Sequence, residues 1–143
     1  MTDWPDLAGR LEAGGHVLPV RVYYEDTDFT GMVYHSNYLK YFERSREHLL
    51  GPDYLVDLFR QSGRSFVVAN VEIHYKLGAS HGDQLEVRTR PQATSAFRLV
   101  FDQQVWNTKT GKQIVAGTVQ MVCVKKDLSL CALPTEVVAE LAR

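Results

Sequence analysis

Cysteine is scarce in this chain: Cys123 and Cys131 are the two thiols among 143 residues. That number excludes a disulfide-stapled scaffold, and both thiols are expected to be reduced. The opening stretch, MTDWPDLAGRLEAGG, is acidic and broken by Pro and Gly. It lacks the basic and apolar regions of a secretory leader, so a cytoplasmic location is expected. No apolar run approaches the ~20 residues of a membrane helix, which excludes an integral membrane segment of that kind. An excess of one charge is missing too, with 16 Lys and Arg against 17 Asp and Glu. A nucleic-acid role would need a local basic patch, and no nucleic-acid partner is expected. The five His residues are scattered. With two cysteines they form no ligand cluster, so neither metal nor cofactor is expected.

What remains is ordinary globular material. The hydrophobic fraction is 45% and the charged fraction 23%, close to the averages for soluble domains. A chain of this size buries roughly 70% of its extended surface on folding, enough for a core of its own. Residues 1–16 are polar and Gly-rich and read as a flexible N-terminal arm. Residues 17–143 read as one domain.

Within that domain the hydrophobic period changes once. Val20 and Val22 alternate with Arg21 and Tyr23, as in a strand. From about Ser36, Tyr38, Tyr41, Phe42, Ser45 and Leu49 recur at three- and four-residue spacing, as on one face of a helix. Ser36 or Asn37 can cap it, and Gly51-Pro52 breaks it ahead of a second helical piece ending at Gly63. Alternation then returns in four further stretches separated by short turns, which favours antiparallel neighbours. A short helix is expected after Pro134. The wide apolar arc predicts a central helix buried on most sides. The economical arrangement is α+β: a five-stranded antiparallel sheet wrapped around that helix.

The chemistry-bearing side chains concentrate between the first strand and the helix, in YEDTDFTGMVYHSN over residues 24–37. Carboxylates and a histidine there meet a helix N-terminus, whose free N–H groups can receive developing negative charge. A carboxylate beside such donors is a minimal acyl-transfer site. Acids and Asn before a helix also serve as caps and turn formers, and spacing alone favours that structural reading.

The stretch RVYYEDTDFTGMVYHSNYLKYFERSR resembles the opening of the Tol-Pal-associated acyl-CoA thioesterases, of the 4-hydroxybenzoyl-CoA thioesterase group in the hotdog superfamily. The likeness continues through SFVVANVEIHY, the Gly82-Asp83 turn, VQMVCV and Ala132-Leu133-Pro134. It implies a hotdog fold and hydrolysis of short- or medium-chain or aromatic acyl-CoA to a carboxylic acid and CoA. It makes Asp28 the catalytic base or nucleophile and the backbone N–H of His35 the group that polarises the thioester carbonyl. Tyr24, Gly31 and Tyr38 are the candidate substrate contacts, and Glu25 and Asp26 are loop hydrogen-bond acceptors. The resemblance also implies a homodimer or homotetramer, with Asn70, Glu72 and His74 on a strand close to the partner. An acyl carrier protein is the alternative carrier of the acyl group, and a non-catalytic acyl-thioester-binding protein is the reading from another class. Basic residues usual near residues 92–95 and 130–132 are absent, which removes the customary anchors for the CoA phosphates.

Overall fold

The computed structural model describes residues 8–141. Six strands form one sheet: β1 (Arg10–Glu12), β2 (Gly15–Arg21), β3 (Ser65–Tyr75), β4 (Gln84–Ala93), β5 (Arg98–Asn107) and β6 (Gln113–Val124). Every neighbouring pair is antiparallel, in the order β1-β2-β4-β5-β6-β3. Three helices accompany it: α1 (Asn37–Leu50), α2 (Pro52–Ser62) and α3 (Thr135–Leu141).

The sheet therefore has six strands where five were expected. The extra one is β1, three residues that pair with the start of β2. Its position also bears on the N-terminal arm. Residues 1–7 lie outside the described residues, but Arg10–Glu12 and Gly15–His16 are strand. A tight turn at Gly14, where φ is +79°, lets the chain double back there.

α1 is amphipathic for the reason its spacing gives. Tyr38, Tyr41, Phe42, Ser45 and Arg46 are buried, and the helix packs against β2, β4 and β5. Leu85, Val87, Leu99, Phe101, Val105, Val115 and Val119 complete the core under it. Gly117 of β6 leaves room for the neighbouring chain: a Cβ there would meet the Glu72 carbonyl oxygen at 2.6 Å and the Phe42 ring at 3.3 Å. The helix is less enclosed than expected. Leu39, Lys40, Glu43, Arg44 and Glu47 are exposed, and Leu49 is half-buried. Their stripe runs along the side of α1 that the sheet of this chain does not cover.

A polar chain crosses the core and fixes the helix to the sheet. Ser45 Oγ lies 2.8 Å from Thr89 Oγ1, and Gln103 Nε2 donates to Thr89 Oγ1 at 2.8 Å and to the Phe42 carbonyl at 3.0 Å. Arg46 Nη1 donates to Gln103 Oε1 at 3.0 Å, and His16 Nδ1 meets Ser45 Oγ at 3.3 Å. These partners offset most of the cost of burying the polar groups.

Candidate active site

Residues 22–37 carry the chain from the end of β2 to α1, and backbone hydrogen bonds fold them into a compact loop. Tyr24–Asp26 make one turn of 3₁₀ helix. Thr27 then bridges Val33 across a tight turn, in which Asp28 N–H donates to Met32 O at 2.8 Å and Gly31 N–H to Asp28 O at 3.0 Å. Gly31 sits at φ +82°, where a side chain would be strained, and a Cβ there would meet only open space. The loop docks on the turn before β4 through Val33 N–H to Ala79 O at 2.8 Å and the Met32–Ser80 bridge.

The carboxylates have different surroundings. Asp26 belongs to the scaffold. Its Oδ2 accepts the Tyr23 N–H at 2.8 Å, and its carbonyl accepts the Tyr34 N–H at 2.9 Å and Asn37 Nδ2 at 2.8 Å. Asn37 thus ties the helix start to the loop through its side chain, and Ser36 makes no side-chain cap. Glu25 is exposed and accepts no hydrogen bond among the described residues, which corrects the expectation of a loop acceptor. A 3₁₀ turn three residues long points Glu25 outward and Asp26 back toward the Tyr23 N–H.

Asp28 sits at the tip. Its Oδ1 accepts the Thr30 N–H at 2.8 Å and the Thr30 hydroxyl, while Oδ2 has no hydrogen-bond partner among the described residues. The two Thr30 donors hold the Asp28 carboxyl below its ordinary range, with smaller help from the Met32 backbone and His35. The group is therefore ionised at neutral pH, with one oxygen pinned and the other open.

His35 is exposed at the mouth of α1. Neither its N–H nor that of Ser36 donates to a backbone carbonyl among the described residues, as expected where a helix begins. Its ring lies 4.5 Å from that of Tyr34 and edge-on to Tyr75 at 6.2 Å. Tyr75 was not among the expected residues. Its hydroxyl donates to the His35 carbonyl at 3.0 Å, and its ring packs 5.9 Å from Tyr38. The only signal in the sequence is its place as the last aromatic of the β3 alternation. Tyr38 is buried, which pushes its phenol up to about 12, and its ring backs that of Tyr75. Tyr24 is 80% exposed and edge-on to His81, whose backbone N–H donates to Gly31 O at 3.3 Å.

The strand residues Asn70, Glu72 and His74 are all exposed, and His74 Nε2 pairs with Glu72 Oε1 at 3.0 Å. Among the described residues no group of three or more His, Cys, Asp or Glu is placed to hold a metal ion. Two cavities, of about 230 and 750 Å³, take no wall from residues 24–38. One lies beside Arg46 and Phe66, the other between Gly14, Leu49, Tyr54 and Val137.

A model of the thioesterase-like superfamily matches residues 22–141. The acyl-CoA thioester hydrolase YbgC of Escherichia coli O6:H1 is 36% identical over 124 residues, 85% of this chain and 92% of that protein. The acyl-CoA thioesterase YbgC of Haemophilus influenzae is 35% identical over 128 residues, 87% of this chain and 93% of that protein. A probable thioesterase from Bartonella henselae has a crystal structure matching 84% of this chain and 99% of its own, with a TM-score of 0.76 and 28% identity. A 1,4-dihydroxy-2-naphthoyl-CoA thioesterase from Synechocystis shares the fold at a TM-score of 0.84 and 20% identity, over 90% of this chain and 96% of its own.

Proposed function

The chain belongs to the thioesterase-like superfamily and is a hydrolase of the hotdog fold, and from that premise we propose that it cleaves acyl-CoA thioesters with Asp28 as the reacting carboxylate. The observation that carries the reading is the pairing of an ionised carboxylate, open at Oδ2, with unpaired N–H groups at the start of the adjoining helix. The thioester carbonyl accepts the His35 N–H, which stabilises the negative charge that grows on that oxygen. As a base, Asp28 Oδ2 takes a proton from the water that adds to the carbonyl carbon; as a nucleophile, it adds to that carbon itself, and water then cleaves the acyl–Asp28 anhydride to restore the carboxylate. In either case the C–S bond breaks, the departing thiolate takes up the proton that the water gave, and a carboxylic acid and CoA leave. A thioester is already an activated acyl donor, so the step needs no metal or organic cofactor. Gly31 leaves the approach open, Tyr38 supports the aromatic wall, and Tyr24 contacts the substrate from the outer rim.

In this reading the protein is a cytoplasmic enzyme whose thioesterase domain takes in β1 and the start of β2 along with residues 17–143. It belongs with the Tol-Pal-associated group and acts on short- or medium-chain or aromatic acyl-CoA. Its working form is a homodimer or homotetramer. One observation supports the assembly: β3 is an uncovered edge strand whose last residue, Tyr75, touches the loop at His35. A second copy on β3 would cover its exposed valines and adjoin the loop.

A panel of acyl-CoAs of graded length, with the same acyl groups on a carrier protein, tests the function. Turnover of CoA thioesters above that of carrier-protein thioesters is expected. Better turnover on the carrier protein would move the enzyme to that class. Binding of both without hydrolysis would make it an interaction protein.

A further inference from the structure

Cys123 and Cys131 lie outside the loop described above, and both are free thiols. Cys123 is buried near the end of β6, and Cys131 is half-buried seven residues after Val124. The segment between them is a small hairpin. Leu128 N–H donates to Lys125 O at 2.9 Å, Lys125 N–H to Ser129 O at 2.9 Å, and Cys131 N–H to Cys123 O at 3.0 Å. Val124 and Leu130 bridge antiparallel, which places Cys123 and Cys131 directly opposite each other. The turn is pre-set: Leu128 adopts φ +68°, and Asp127 Oδ1 accepts both the N–H and the hydroxyl of Ser129. Residues opposite each other in an antiparallel pair have Cα atoms about 4.5–5.5 Å apart, inside the ~4.4–6.8 Å that a disulfide spans. The two sulfurs are 3.3 Å apart. Side-chain rotation alone then separates the dithiol from the bonded pair.

We propose that Cys123 and Cys131 form a reversible intrachain disulfide by exchange with a low-molecular-weight disulfide such as oxidised glutathione. Cys131, the more exposed thiol, loses its proton and attacks the oxidant's sulfur–sulfur bond. That bond breaks, a mixed disulfide forms on Cys131, and one glutathione leaves as a thiol with the proton. Cys123 then loses its proton and attacks the Cys131 sulfur, expelling the second glutathione thiol. Two protein thiols are oxidised and one small disulfide is reduced. The order follows from burial, which together with the Cys131 neighbour pushes the Cys123 thiol up to about 12 and makes it a poor first attacker. The bond fixes to β6 the segment that leads to α3, where Leu133 N–H donates to Ala96 O at 2.8 Å and Val137 enters the core.

The test uses the full-length protein, reduced, desalted and incubated at neutral pH with oxidised glutathione. After an acid quench, free thiols are alkylated in denaturant and the intact mass is read. The expected product has neither thiol free, carries no adduct, weighs two hydrogens less than the reduced chain and returns to it with dithiothreitol. Cys123→Ser is expected to arrest with glutathione on Cys131. Cys131→Ser is expected to leave Cys123 free in the native protein. The proposal is overturned if both wild-type thiols stay free. A stable Cys131 adduct or a disulfide-linked dimer in the wild type overturns it too. The wild-type arm decides without the variants.

Discussion

Strands β5 and β3 are of similar length and carry similar alternation, yet they meet opposite surroundings. Leu99, Phe101, Gln103 and Val105 of β5 are fully buried. Val67, Val68, Val71 and Tyr75 of β3 are 37%, 47%, 40% and 47% exposed. β5 is hydrogen-bonded on both sides, by β4 and β6, and lies under α1. β3 pairs with β6 alone and ends the sheet. A long apolar edge is a liability unless it is bulged, charged or covered. β3 has a bulge between Val68 and Asn70 and an exposed Glu72–His74 pair, but its valines remain open. Alternation tells which side chains share a face. It does not tell whether anything lies against that face. At its far end the same strand places Tyr75 against His35, so a partner seated on β3 would adjoin the loop that holds Asp28.

Three measurements break or sharpen this contrast. The largest effect is expected at Phe101→Ala, which removes a fully buried ring between β5 and α1. Urea titration should show a loss of about 3–5 kcal/mol, and a loss under ~1 kcal/mol would mean that the core is not where the structure puts it. Val71→Lys on β3 should change the stability of the isolated chain by no more than ~0.5 kcal/mol, as for surface positions generally. It should nonetheless dissociate the proposed oligomer in light scattering and lower hydrolysis with it. An unchanged mass would remove β3 from the interface. The smallest effect concerns His16, buried between β1 and α1, where Nε2 donates to the Ala8 carbonyl at 2.7 Å. Burial holds its pKa below the ordinary 6.5, and the neighbouring His48 adds to this against the pull of the Ala8 bond. The unfolded chain then takes up the proton first. Stability is full above about pH 6.5, falls as the pH drops below it, and levels off once the folded His16 is itself protonated. His16→Gln should flatten that part of a thermal-midpoint profile, and an unchanged slope would place the titration elsewhere.

Much of this was legible in the residues. The helix from Tyr38 to Leu49, the break at Gly51-Pro52 and the later strands follow from hydrophobic period and turn chemistry. Spacing did not separate Asp26 from Asp28, although the resemblance in the loop motif did. Both are acids one residue apart from Thr27, and only the folded loop shows Asp26 engaged by Tyr23 and Asp28 left with an open oxygen. Spacing alone favoured a turn-forming role for both, and Asp28 does form a turn with Thr30. Tyr75 and Arg46 were hidden for another reason. Tyr75 reaches the loop from a strand forty residues along the chain, and Arg46 is buried against Gln103 across an even longer separation. Such contacts depend on sheet order, which alternation does not encode. The short β1 lies in polar, Gly-rich sequence and forms because β2 offers it an edge.

The central claim is that the Asp28 carboxylate does the chemistry and Asp26 holds the loop. Hydrolysis of one acyl-CoA by the wild type, Asp28→Asn, Asp26→Asn and His35→Ala, with acyl-CoA binding measured alongside, tests it most directly. Asp28→Asn should lose on the order of 10²–10³ in turnover while still binding substrate, as when one properly aimed group is removed. Asp26→Asn should lose less, and His35→Ala should keep part of its activity because its backbone N–H remains. Wild-type turnover in Asp28→Asn, with Asp26→Asn inactive, would contradict the account.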